Sequence, residues 1–100
     1  MSATQALVIP VTDRNLDYAR RVRDELAGFR VEVDERSERM NAKVRDAQLQ
    51  KVPYMLVVGD REERLGGVSV RLRTNEDRGL TELSDFMDHL HEVVAAKSGL

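Results

Sequence analysis

The chain contains no cysteine and no tryptophan, only two prolines, and only four Phe or Tyr residues among its 100. Without a thiol there can be no disulfide framework and no thiolate metal site, which suits a reducing, cytoplasmic setting. No apolar run approaches the length of a membrane span, and the opening MSATQ lacks the basic-then-apolar pattern of a secretory signal, so no membrane partner is expected. No charge of one sign dominates: the net charge of −2 argues against a strongly basic polyanion binder. There is no G-x-G-x-x-G and no Walker-type loop. The two histidines, His89 and His91, lie two apart on an expected helix and point in different directions, so they cannot chelate one metal together. No group is nominated as a nucleophile, so the chain is expected to have no active site and to hold no cofactor. At 41% hydrophobic and 34% charged the composition is nevertheless that of a folding chain rather than a disordered one. Its length fits one domain, 1–100, without room for a second core.

Apolar patterning supplies the architecture. Residues 6–11 (ALVIPV) form a continuous apolar run, as in a strand covered on both faces. Thr12 and Asp13 then offer helix-capping side chains, Leu16, Ala19, Val22 and Leu26 recur at helical spacing, and Gly28 supplies a stop. Residues 30–34 (RVEVD) alternate as a short second strand. A second helix is expected over about 39–51, with Met40, Val44 and Ala47 on one side, and Pro53 marks its limit. Residues 54–58 (YMLVV) read as a third buried strand. Gly66-Gly67 between Arg61–Leu65 and Val68–Arg73 reads as a hairpin, and Leu83, Phe86, Met87, Leu90, Val93 and Val94 as a last helix over about 82–96. The order β-α-β-α-β-β-β-α implies an α/β fold: a three-layer, mixed five-stranded sheet flanked by three helices. Two right-handed crossovers would make its first three strands parallel. The expected core includes Val8, Leu26, Val44, Leu56, Val57, Phe86 and Leu90.

Charge is placed unevenly along this frame. Residues 36–51 carry Arg36, Arg39, Lys43, Arg45 and Lys51 against Glu38 and Asp46, whereas 76–92 carry six carboxylates against Arg78. A positive face and a negative face can orient a polyanion even when the total is near zero. Sequence-specific RNA readers take unstacked loops with Arg, carboxylate and aromatic side chains. Here Tyr18, Phe29, Tyr54 and Phe86 all fall at or near core positions, so polar and guanidinium contacts would carry any reading. A small-molecule or nucleotide binder on a flavodoxin-like sheet is the alternative from another class, and it lacks a glycine-rich phosphate loop.

The stretch 31–60, VEVDERSERMNAKVRDAQLQKVPYMLVVGD, resembles the anticodon-binding (C-terminal) domain of bacterial threonyl-tRNA synthetases, members of the class II aminoacyl-tRNA synthetases. RDAQLQKVPYMLVVGD at 45–60 is close to a signature of that group. ALVIPVTD at 6–13, LDYA at 16–19 and VSVRLR at 68–73 extend the likeness over nearly the whole chain. The resemblance implies a domain that reads the G and U of threonine anticodons so that its parent enzyme, a threonine–tRNA ligase, charges the correct tRNA. The implied partners are the tRNA for threonine and the catalytic domain of that parent, which would be a homodimer using ATP, magnesium and zinc outside these residues. Base reading is carried over to Glu62, in the expected first arm of the hairpin, and to Arg71, with Arg73 beside it. Where the family often has R-N-E, this chain has Arg36-Ser37-Glu38, and serine at this base-reading position keeps a hydroxyl but loses the two-sided amide. Arg36, Arg39, Lys43 and Arg45 match basic positions expected to hold phosphates. An excised domain is the expectation, and a free-standing or accessory paralogue binding another RNA or a protein would show the same pattern.

Overall fold

A computed structural model describes residues 4–36, 38–72, 74 and 76–98, and the side chains of the last helix as far as Val93. Its strands are β1 (Ala6–Pro10), β2 (Val31–Val33), β3 (Tyr54–Val58), β4 (Gly67–Leu72) and β5 (Asp77–Glu82). Its helices are α1 (Leu16–Glu25), α2 (Met40–Leu49), α3 (Asp60–Leu65) and α4 (Leu83–Ser98). The strands form one sheet in the order β2-β1-β3-β4-β5. β1 pairs parallel with β2 and β3, and β4 pairs antiparallel with β3 and β5. This is the expected five-stranded mixed α/β sheet, with one helix more than the periodicity suggested.

Alternation along the strands divides the core in two. On one face Ala6, Val8, Leu56, Val58, Val68 and Val70 pack beneath Tyr18, Ala19, Val22 and Leu26 of the α1 region and Leu83, Phe86 and Leu90 of α4. On the other face Ile9 and Met55 pack with Val44 and Ala47 of α2 and with Val52. Val57, expected in the core, is half-buried, because it lies on this second face and is not among the residues packed with α2.

The expected hairpin at Gly66-Gly67 is a different structure. Residues 60–65 form α3, and the reasons are local. Asp60, Glu62 and Glu63 stand in its first turn, where the helix dipole favours carboxylates. Gly66 ends it at φ 70°, the left-handed conformation that glycine adopts without penalty. Gly67 already belongs to β4, and a Cβ there would lie 2.6 Å from the Thr81 carbonyl oxygen of β5. The strand that extends the sheet beyond β4 is β5, whose sequence DRGLTE is polar and mostly exposed. A register shift near Val70/Arg71, opposite Gly79 at φ 78°, bends this edge strand, as suits an edge that must not recruit further strands.

Candidate nucleic-acid interface

α2 covers only part of its face of the sheet, and β4 and β5 extend beyond it. Ser69 and Arg71 alternate with the buried Val68 and Val70, so they stand on the face opposite α1 and α4. Ser69 lies between Val57 of β3 and Leu80 of β5, and Arg71 lies between Met55 and Asp77. Val57, Ser69 and Arg71 are half-buried, and Leu80 is 38% exposed. The result is a shallow strip with an apolar floor and one guanidinium. Aromatic rings take no part in it. The Tyr18 hydroxyl donates to the Gly67 carbonyl at 2.8 Å, Tyr54 meets Phe86 edge-on at 5.6 Å, and Phe29 meets His91 at 4.9 Å.

Glu62 joins this strip by a route that the sequence pattern did not show. It lies on α3, not on a strand, and therefore does not pair across a hairpin with Arg71. Its side chain turns inward to 8% exposure. One carboxylate oxygen accepts the Gly59 N–H at 2.8 Å, and the other accepts the Ser69 hydroxyl at 2.7 Å. Burial works to raise its pKa, but the bonds from Ser69 and from the Gly59 N–H outweigh it and leave the carboxyl below its ordinary value. Ser69 and Arg71, two residues apart on one strand, are separated by about 7 Å along it. The structure thus brings Glu62 and Arg71 to one region through Ser69, a residue that the sequence reading passed over.

The basic segment divides into two kinds of cation. Arg36 is held from both sides. Its Nε and Nη2 donate to Oδ1 and Oδ2 of Asp34 at 2.9 and 2.7 Å, and its Nη1 donates to Oδ2 of Asp46 at 2.7 Å. Lys43, expected to hold a phosphate, is only 5% exposed, with Nζ 3.4 Å from the Asp34 carbonyl oxygen. The correction has a simple cause: Lys43 lies on the flank of α2 that faces the 34–36 turn, where its stem packs and its charge answers buried Asp34. Arg39 and Arg45, by contrast, are exposed and have no ion-pair partner among the described residues. Lys51, one residue beyond the α2 C-cap, has φ 62°, a left-handed conformation uncommon for a residue with a side chain. Ser37 and Arg73 lie outside the described residues. Among the described residues no group of three or more His, Cys, Asp or Glu side chains could hold a metal ion.

A family model described as the anticodon binding domain matches residues 5–93. The chain belongs to the anticodon-binding domain family. Among its relatives, a threonine–tRNA ligase of Acidobacterium capsulatum is 45% identical over 101 residues, covering 99% of this chain and 15% of the relative. That of Rubrobacter xylanophilus is 50% identical over 101 residues, covering 97% and 16%. That of Thermus thermophilus is 49% identical over 90 residues, covering 88% and 14%. The chain thus spans only a small fraction of the curated relatives it matches. A crystal structure of the RNA-binding domain of threonyl-tRNA synthetase from Cryptosporidium parvum superposes with a TM-score of 0.82 at 33% identity, covering 88% of this chain and 23% of that one. The architecture is that of the anticodon-binding domain fold.

Proposed function

We propose that this chain is the anticodon-binding domain of a threonine–tRNA ligase, binding the tRNA for threonine while the rest of that enzyme performs the ATP-dependent chemistry. The reading is carried by the anticodon-binding family match over residues 5–93 of a chain whose Arg71 stands half-exposed on an uncovered sheet face. Relatives that are threonine–tRNA ligases and align over nearly the whole chain support the choice of enzyme. The lack of cysteine accords with a cytoplasmic setting.

The finer proposal concerns the G and U that end threonine anticodons. A planar guanidinium can donate two parallel hydrogen bonds to base acceptors, which an ammonium cannot reproduce. Arg71 is the group so disposed, one row along the strip from Val57 and Leu80, which flank Ser69 and offer an apolar floor against which a base can rest. Glu62, buried and held by Gly59 and Ser69, acts through Ser69: it fixes that hydroxyl on the strip and supplies negative potential from beneath, without itself meeting a base. Exposed Arg39 and Arg45 would take phosphates and set register without reading sequence.

The test is a binding comparison between a stem–loop carrying a threonine-type anticodon and one with the loop scrambled. Arg71→Ala should weaken the first by about 1–3 kcal/mol, the value of a good bidentate base contact, and the second much less. Arg71→Lys should not restore the preference. Equal losses on both loops would reduce Arg71 to a general charge contact, and no loss on either would remove it from the interface.

A further inference from the structure

Arg36 and the exposed arginines of α2 look alike in sequence, yet their surroundings differ. Three of the five N–H donors of the Arg36 guanidinium, on both of its sides, are already held by carboxylates, although the side chain is 49% exposed. Asp34 takes Nε and Nη2 in a two-pronged grip, and its Oδ1 also accepts the Arg36 backbone N–H at 3.2 Å. Asp46, halfway along α2, takes Nη1. Asp34 is itself fixed: its side chain is 6% exposed, and its backbone N–H donates to the Val8 carbonyl of β1 at 2.9 Å. The chain of contacts therefore runs from the central strand, through Asp34 and Arg36, to the body of α2, with Lys43 closing it from beneath.

We propose that Arg36 is a positioning residue and not a phosphate ligand: with Asp34 and Asp46 it forms a clamp that fixes α2 on the sheet and so sets where Arg39 and Arg45 meet the RNA backbone. The inference rests on the RNA reading above and changes one assignment within it. The protonation energetics agree with the geometry. Bonds to Asp34 and Asp46 raise the Arg36 pKa still further above its ordinary value, and the bond from Arg36 holds the Asp34 carboxyl below its own. Three mutually engaged charges in the 34–46 segment also explain why a strongly cationic stretch of sequence presents fewer free cations than it contains.

Two substitutions separate a clamp from a phosphate contact because the alternatives give opposite results. Asp46→Ala removes a negative charge near the RNA and frees one edge of Arg36, so a phosphate ligand at 36 would bind more tightly. A clamp would bind more weakly. Alanine is the strongest helix former, so α2 itself is not endangered. Arg36→Lys keeps the cation, which a phosphate tolerates, but cannot span two carboxylates. We expect both variants to bind any stem–loop roughly three- to tenfold more weakly, in the lower part of the range for coupled residues. The slope of log affinity against log salt should stay that of the wild type, whereas Arg39→Ala should flatten it by about 0.7–0.9, the contribution of one phosphate. The proposal is overturned if Asp46→Ala binds as tightly as the wild type or more tightly, or if Arg36→Lys is indistinguishable from it. A wild-type domain that bound threonine-type and scrambled loops alike would count against the anticodon reading only, since slopes and variants are read on either loop. A domain that bound neither would overturn both.

Discussion

The two faces of the sheet are finished differently. Beneath α1 and α4, every strand but β5 contributes a residue to one continuous apolar cluster, and even its hydroxyl at Tyr18 is matched by a carbonyl. Beneath α2 the cluster is small, and β4 and β5 extend past it with a serine, an arginine and a half-exposed leucine. Burial scales with apolar area removed from water, so the first face carries most of the stability. The second gives up some of that burial and keeps polar groups within reach of solvent. A small domain of this kind can bind through one face because the other suffices to hold it folded.

Substitution can break this contrast. The largest effect should come from Leu90→Ala on the covered face, where the side chain is 1% exposed. Lost burial and the resulting cavity should cost about 2–5 kcal/mol, read as a lower denaturant midpoint with an unchanged slope. Binding measured at a temperature where the variant remains folded should be unaltered. If binding fell in step with stability, the two faces would not be separable. Replacing Arg39 and Arg45 together by alanine should act in the opposite sense, with little change in stability. Affinity for cognate and scrambled loops should fall alike, and the salt slope should flatten by about 0.7–0.9 for each phosphate lost. A loss confined to the threonine-type loop would make these residues base readers.

The smallest effect concerns acid. Asp34 has its folded pKa depressed below the ordinary 3.8 by Arg36, which outweighs the opposing effect of burial. A depressed carboxylate contributes stability that is fully present above its unfolded pKa and is lost as pH falls through the folded one. The wild type should therefore lose stability as pH drops below about 4, and Asp34→Asn, weaker at neutral pH, should lose less over that interval. Parallel acid limbs in chemical denaturation would show that the clamp contributes no such linkage.

Much of this arrangement was open to reading in the sequence. Elements that bury a full face announce themselves by period: β1 and β3 as apolar runs, α1 and α4 by recurrences such as Ala19-Val22-Leu26 and Leu83-Phe86-Leu90. Those elements with little to bury do not. α3 has Glu62 as its one buried residue and β5 has none, so two glycines next to an alternating segment suggested a turn in the wrong place. The acidic first turn and the glycine after Leu65 were the overlooked helix signals. At the site, the outward placement of Arg71 followed from strand alternation. The roles of Glu62 and Lys43 did not, because a charged side chain does not state whether it faces water or a buried partner. Asp34 shows the same limit from the other side: it reads as the end of a strand, and it anchors a guanidinium. The histidines diverge as their spacing required, His89 to the Tyr54 hydroxyl at 3.0 Å and His91 to the ring of Phe29.

The position of β1 bears on how such a chain reaches its fold. β1 is the strand bounded by parallel neighbours on both sides, and Ala6 finds them at Val31 and Tyr54, one quarter and one half of the chain away. β3, β4 and β5 are consecutive and pair through short connections. Closing a long loop must be met by an entropic cost before its contacts return anything, whereas consecutive strands meet quickly. Assembly is therefore poised to begin in the later half of the chain, with the earliest strand waiting, unpaired, for the partners that will enclose it.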